Sequence, residues 1–206
     1  MYSPEDRETR GGISAVLVAT DHLDSIVLDL AAVLAGLVSD TFEIVVVAEW
    51  PARIEDLVEE LRARAPGLPL RLVQGDSLAA GCDASQFDLI FTCAPDGQFD
   101  VRELNHLLEA IDRGADVAAG YRPRPTDGIL RYLQRWGWRV EVDCAFKLLR
   151  RAVWTQLARD TDPRPRTSCV DLLTSVRRSG FRVVEVPVSH RRPTLGVLVS
   201  GRTRAA

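Results

Sequence analysis

Two short runs near the N-terminus constrain the fold more than anything else in this chain. Ile13 to Ala19 reads ISAVLVA and Phe42 to Ala48 reads FEIVVVA, both almost unbroken in apolar, largely β-branched residues. A strand with one wet face alternates apolar and polar residues, whereas a strand covered on both faces reads as a continuous apolar run. Between the two, Leu23, Ile26, Val27, Leu30, Leu34 and Leu37 recur at three- and four-residue spacing. That is the period of an amphipathic helix, with Asp21 and Asp24 available to cap its start. Strand, helix and strand in this order make a βαβ unit with parallel strands.

The alternation continues. After Pro51, Ile54, Leu57, Val58 and Leu61 mark a second helix, and Leu70 to Val73 a third strand. Gly75 to Ser85 is small and polar and reads as a loop with at most one helical turn. Phe87 to Thr92 is a fourth strand. Asp100 and Glu103 form a capping-box-like start to a helix carrying Val101, Leu104, Leu107, Leu108 and Ile111, followed by a strand over Asp116 to Gly120. Further on come a strand at Ala145 to Leu148, a helix at Ala152 to Arg159, a linker at Pro163 to Pro165, a helix at Val170 to Arg178 stopped by Gly180, and a strand at Phe181 to Val188. The expectation is a single α/β domain with a mostly parallel central sheet and helices on both faces. At 206 residues and 46% hydrophobic content the chain supplies one ordinary core. Residues 1–12 read as a polar tail, neither signal nor transit peptide, and residues 13–206 as the domain.

The net charge of -3 excludes a uniformly basic nucleic-acid binder. It conceals a division. Residues 1–120 carry 8 Arg against 22 acidic residues, a net of -14, and residues 121–206 carry 18 basic against 7 acidic, a net of +11. The basic half suits a small or lipid-linked anion. Arg rather than Lys supplies 25 of the 26 positive charges, which base composition alone could produce, but composition does not explain where they fall. No apolar stretch approaches the roughly 20 residues of a spanning helix. Cys82, Cys93, Cys144 and Cys169 show no paired spacing for zinc or redox chemistry and read as reduced thiols of a cytoplasmic protein.

The segment FDLIFTCAPDGQFDVRELNHLL, Phe87 to Leu108, resembles the metal-site strand and following helix of the family 2 glycosyltransferases, in particular their polyprenyl-phosphate (dolichyl-phosphate mannose synthase-like) branch. GADVAAGYR (114–122), VDCAFKLLRR (142–151) and SGFRVVEVPVSHRR (179–192) resemble further blocks of that family in the same order. The resemblance implies a GT-A fold, a nucleotide-sugar donor, Mg²⁺ or Mn²⁺, and an acceptor that is a polyprenyl phosphate or a small-molecule hydroxyl. Carboxylates hold such a hard cation, and the cation neutralises the departing diphosphate.

The chain departs from the family pattern at the donor side. Where the family has a D-x-D-x-Q-like motif, Ala94, Pro95, Asp96, Gly97 and Gln98 stand, so the first aspartate is absent and the cation is weakly held or lost. Ala19, Thr20, Asp21 and His22 replace a P-x-x-N-E-like segment, and Ala48, Glu49, Trp50 and Pro51 replace a V-D-D-G-S-like segment. By the resemblance, Asp96 and Gln98 are the metal and diphosphate ligands, although Pro95, Asp96 and Gly97 also suit a plain turn. Asp143 or Asp171 is the candidate base toward the acceptor. Alternatively Asp143 pairs with Lys147 or Arg150, and Asp171 is a helix N-terminal charge. Asp21, Glu49, Arg122, Lys147, His190, Arg191 and Arg192 are the donor- and phosphate-binding candidates, joined in the same blocks by Arg150 and Arg151, because guanidinium grips phosphate oxygens in pairs. Trp50 either stacks on a base or packs. Ile129 to Arg139, with arginines on one face, is either a basic lip over the site or an interfacial helix giving peripheral contact at the inner membrane face.

Two further readings stand beside the transferase. One is a glycosyltransferase-like protein that has lost donor chemistry and works as a binding or regulatory partner, a partner subunit completing its site. The other is a repurposed fold acting on another phosphorylated substrate.

Overall fold

In the computed structural model, which describes residues 12–20, 23–38, 41–123, 145–160 and 169–189, the two apolar runs become neighbouring strands. β1 (Ile13–Val18) and β2 (Phe42–Ala48) pair in parallel, from Ile13 against Phe42 to Val18 against Val47. All of β2 is buried, as is β1 apart from Val18. β3 (Leu70–Gln74) extends the sheet beyond β2, and β4 (Leu89–Thr92) lies on the other side of β1. β5 (Val117–Tyr121), β6 (Lys147–Arg150) and β7 (Val183–Pro187) complete a seven-stranded sheet of order β3-β2-β1-β4-β6-β5-β7. Only β6 runs against its neighbours, being antiparallel to both β4 and β5.

Among the described residues six helices cover the sheet: α1 (Leu23–Val38), α2 (Glu55–Arg64), α3 (Leu78–Ala84), α4 (Leu104–Asp112), α5 (Arg151–Asp160) and α6 (Cys169–Arg178). The register assigns their sides. Val16, Thr92, Lys147, Ala119 and Glu185 follow one another across β1, β4, β6, β5 and β7, so they share a face of the pleat. α3 covers this face through Gly81, and α6 does so through the Arg177–Glu185 pair at 2.7 Å. α5 joins α3 there, the Trp154 indole donating to Asp83 at 2.7 Å. α1, α2 and α4 close the opposite face, with α1 packed against α2 and against the turn that opens α4. No helix among the described residues is long and apolar enough to cross a membrane.

Three local expectations need correction. Leu78–Ala84, read as loop with one turn at most, is a seven-residue helix. Its sequence LAAGCDA carries no three- and four-residue hydrophobic period because it packs by smallness: a Cβ on Gly81 would lie 2.7 Å from Val47 and closer still to Val16. Gly81→Leu is therefore expected to destabilise the fold by about 1–3 kcal/mol through overpacking, measured by thermal denaturation. An unchanged midpoint would mean that α3 shifts freely off the sheet.

The capping box is only half present. Asp100 Oδ1 accepts from the Arg102 N–H at 3.0 Å, but a single 3₁₀ turn, Val101–Glu103, precedes α4. The Glu103 carboxylate, instead of returning to Asp100, accepts from the Ser189 N–H at 2.6 Å. Ordered structure also reaches back to Gly12, inside the expected tail: it is buried and its carbonyl accepts from the Leu89 N–H. Residues 1–11, Ile129 to Arg139, Pro163 to Pro165 and Cys144 lie outside the described residues. Cys82 and Cys93 are both buried.

Candidate active site at the carboxyl edge of the sheet

In open α/β sheets, ligands bind outside the carboxyl ends of the strands where the strand order reverses. The reversal here lies between β1, which leads to β2 on one side, and β4, which lies on the other. The loop leaving β4 at this point carries Asp96 and Gln98.

That loop is fixed by several independent contacts. Pro95 is buried, and Asp96 Oδ1 accepts from the Gln98 N–H at 3.0 Å, an Asx turn. Asp96 Oδ2 accepts from Gln98 Nε2 at 2.6 Å, so the two candidate ligands hold each other. Gly97 sits at φ 68°, left-handed backbone that L side chains resist, though a Cβ there would meet nothing within 4 Å. Conformation, not space, requires the glycine. Next along, Phe99 stacks on Phe146 with ring centroids 5.6 Å apart, and Phe146 meets Phe91 edge-on at 5.0 Å. The Thr92 hydroxyl donates to the Ala145 carbonyl at 2.9 Å, tying the end of β4 to the segment entering β6. These aromatic and hydroxyl supports lie outside the sequence reading. Their signal in the sequence was that Phe91 and Phe99 flank the Ala94–Gln98 segment.

The donor set suits one kind of cation. Among the described residues no group of three His, Cys, Asp or Glu side chains could hold a metal. Asp96 is one half-buried carboxylate whose oxygens retain lone pairs beyond the two hydrogen bonds. Mg²⁺-like ions are commonly bound by one or two carboxylates together with substrate phosphates and water. The residues therefore fit a hard cation that arrives with a diphosphate, and do not form a cage that would retain one alone.

The other sequence candidates divide sharply. Glu49 and Trp50 follow β2 at the same carboxyl edge, both exposed, and Arg122 follows β5 there, also exposed. Arg122, Glu103, Pro123, Pro187, Val188 and Ser189 line an open cavity of about 400 Å³ beside the site. Asp171 lies in the first turn of α6, the end of that helix nearer the carboxyl edge, because the helix delivers the chain to the start of β7 at the amino edge. Asp21, Asp143, His190, Arg191 and Arg192 lie outside the described residues.

Lys147 is completely buried in β6, between β4 and β5, and so is placed inside the sheet and not on an open phosphate grip. Arg150 and Arg151 belong to the far side. Because β6 is antiparallel, it starts at the carboxyl edge and ends at the amino edge. There the Arg150 guanidinium donates to the Ile111 carbonyl at 3.0 Å and the Arg151 N–H to the Asp88 carbonyl at 2.7 Å.

The amino edge carries a polar cluster absent from the sequence reading. The Glu43 carboxylate, 4% exposed, accepts from the Ser14 hydroxyl at 2.7 Å and from the Gln86 N–H at 2.8 Å through Oε1. Its Oε2 accepts no well-aligned hydrogen bond and, among the described residues, is balanced by the Arg71 guanidinium at 3.1 Å. Its place, opposite the switch-point edge, makes it a structural clamp.

No family model matches the chain. The polyprenol monophosphomannose synthase of Mycolicibacterium smegmatis is 29% identical over 123 residues, covering 50% of this chain and 45% of that protein. Among solved structures, the mannosyltransferase PcManGT from Pyrobaculum calidifontis, in complex with GDP-Man and Mn²⁺, matches at a TM-score of 0.68 and 18% identity, covering 86% of this chain and 55% of that one. Glucosyl-3-phosphoglycerate synthase from Mycobacterium tuberculosis, in complex with Mn²⁺ and UDP-Glc, matches at 0.62 and 16% identity, covering 93% and 75%. The chain thus spans less than half the length of the curated relative it matches. The fold is GT-A, and the resemblance to the polyprenyl-phosphate branch read from the four sequence blocks is borne out.

Proposed function

We propose that this chain is a glycosyltransferase that moves a sugar from a nucleotide-diphosphate donor to a phosphorylated acceptor, a polyprenyl phosphate or a small phosphate-bearing molecule with a free hydroxyl. The observation that carries this reading is the rigid Asp96–Gln98 turn at the switch point of a GT-A sheet. It is supported by fold neighbours solved with GDP-Man or UDP-Glc and Mn²⁺.

In this reading Asp96 and Gln98 face the donor diphosphate and the Mg²⁺ or Mn²⁺ that accompanies it. When bound, the cation offsets the negative charge of the leaving nucleoside diphosphate. An acceptor oxygen forms the new bond to the sugar's anomeric carbon as the bond to the diphosphate breaks. Asp143 or Asp171 takes the proton when that oxygen belongs to a hydroxyl. An ionised phosphate acceptor needs no such base. Arg122, His190, Arg191 and Arg192 supply positive charge to the acceptor side and Glu49 faces the nucleoside. The test is turnover of UDP- and GDP-sugars with Mn²⁺ in the presence of phosphorylated acceptors. The reading fails if the protein binds no nucleoside diphosphate with either cation.

A second reading, a donor-binding regulatory partner without turnover, is favoured by Ala94, which leaves one carboxylate where the resemblance implies two. Ala94 is half-exposed, so a larger side chain there is tolerated. Ala94→Asp is expected to tighten Mn²⁺ binding in the presence of a nucleoside diphosphate by about ten-fold, read by calorimetry, since a hard cation gains an anionic oxygen ligand. No gain would place position 94 outside the cation's reach.

A further inference from the structure

Glu103 joins two parts of the carboxyl edge that lie 86 residues apart in the chain. It stands three residues after the capping Asp100, where a glutamate ordinarily returns to the backbone N–H of the capping residue. Here the carboxylate turns away and accepts from the Ser189 N–H at 2.6 Å.

Both ends of this bond stand on fixed structure. On one side, the Asp100 carboxylate accepts from the Arg102 N–H at 3.0 Å and the Asp100 carbonyl from the Glu103 N–H at 3.0 Å, while Val101 is buried and α1 packs against the turn. Phe99 alone separates Asp100 from Gln98, and it is stacked on Phe146. The turn that carries Glu103 is therefore continuous with the Asp96–Gln98 loop. On the other side, Val188 is buried and its N–H donates to the Tyr121 carbonyl at 2.9 Å. β7 is the outermost strand of the sheet, so the chain leaving it has no further strand to lean on among the described residues. Ser189, exposed, is the next residue, and Glu103 takes its N–H. In the sequence His190, Arg191 and Arg192 follow at once. Glu103, Ser189 and Arg122 line the same open cavity of about 400 Å³.

We propose that Glu103 is a positioning residue for the acceptor: its carboxylate holds Ser189, and so fixes the point from which the basic run His190–Arg192 departs relative to the Asp96–Gln98 loop. The proposal rests on the transfer reading above and adds to it the bond that ties donor side to acceptor side. A carboxylate suits the task, because a hydrogen bond from a backbone N–H to a charged acceptor is shorter and stronger than one to a neutral acceptor. Its own negative charge repels a phosphate, so what it gives a phosphorylated acceptor is the placement of the segment it holds. Misplacing an orienting group by about 1 Å can cost about a hundred-fold in rate.

The test uses the full chain with Mn²⁺, UDP-Glc or GDP-Man as donor, and glycerol phosphate or a short-chain polyprenyl phosphate as acceptor. Glu103→Ala is expected to lower kcat/KM for the acceptor by about ten-fold or more while the KM for the donor stays within about two-fold. Glu103→Gln, whose amide oxygen still accepts from the Ser189 N–H, is expected to stay within about three-fold of wild type. Because the pair is exposed, the thermal midpoint of both variants stays within about 2 °C of wild type. If Glu103→Ala keeps the acceptor kcat/KM, or loses donor and acceptor alike, the proposal is overturned and the transfer reading survives. It is overturned equally if Glu103→Gln is as impaired as Glu103→Ala, since the charge in the cavity and not the bond to Ser189 is then what matters. If wild type transfers no sugar, the transfer reading falls and this proposal with it.

Discussion

An Asp96→Asn variant is expected to lose about a hundred-fold or more of the cation-dependent transfer activity while its thermal midpoint stays where it was. The substitution separates two roles that the residue combines. Its Oδ1 accepts from the Gln98 N–H at 3.0 Å, and asparagine can keep that turn. What asparagine cannot keep is the negative charge, in a site that offers no second carboxylate at position 94. Asp96→Ala is the poorer experiment, because it removes the turn and the charge together. Retained activity in Asp96→Asn at limiting Mn²⁺ would show that the cation is held elsewhere or not used.

The second large effect lies at the opposite edge and concerns stability. Glu43→Ala is expected to destabilise the fold by about 3–5 kcal/mol, the range for breaking a buried ion pair by removing one partner. For a domain of this size that is about 6–20 °C in the melting midpoint. The lower end is favoured because Arg71, 34% exposed, can be rehydrated once its partner is gone. What then loses its acceptor is the Ser14 hydroxyl proton, which pointed at Glu43, while the Gln86 N–H keeps a 3.2 Å bond to the Ser14 oxygen. Arg71→Met should be at least as severe, since it leaves a carboxylate 4% exposed without a counter-ion. Denaturant unfolding with an unchanged slope is the measurement, and a loss below about 1 kcal/mol in both variants would refute the clamp.

The parts of the fold that could be read in advance are those whose signal is periodic. FEIVVVA reads as a doubly covered strand because every one of its residues is buried. α1 reads as a helix because Leu23, Ile26, Val27, Leu30 and Leu34 are all buried along one stripe. α3 escaped because a helix packed through alanine and glycine leaves no hydrophobic period. The direction of β6 escaped for a different reason: KLLR is only four residues long, and nothing in it distinguishes parallel from antiparallel. That one unreadable direction misassigned Arg150 and Arg151, which end at the amino edge.

The site shows the same division. Asp96 and Gln98 were legible as candidates because spacing and neighbouring blocks survive in the sequence. The Glu43 cluster was not, since Ser14 and Glu43 read as stray polar residues within two apolar runs and only the strand register brings them together. The basic half is legible as a charge imbalance alone, with ten of its 18 positive residues outside the described segments.

The reversed strand also bears on the order in which the chain can assemble. β1 to β4 form a continuous parallel sheet from residues 13–92 with no help from later sequence, whereas β5 pairs only with β6 and β7, both encoded after it. As the chain leaves the ribosome, Leu89–Thr92 is therefore an open apolar edge, and Val117–Tyr121 an unpartnered strand, until residue 150 has emerged. The acidic and basic halves meet near residue 120, but as folding units they are divided earlier, after β4. The strand that seals the first unit is the same one that carries Lys147 into the interior.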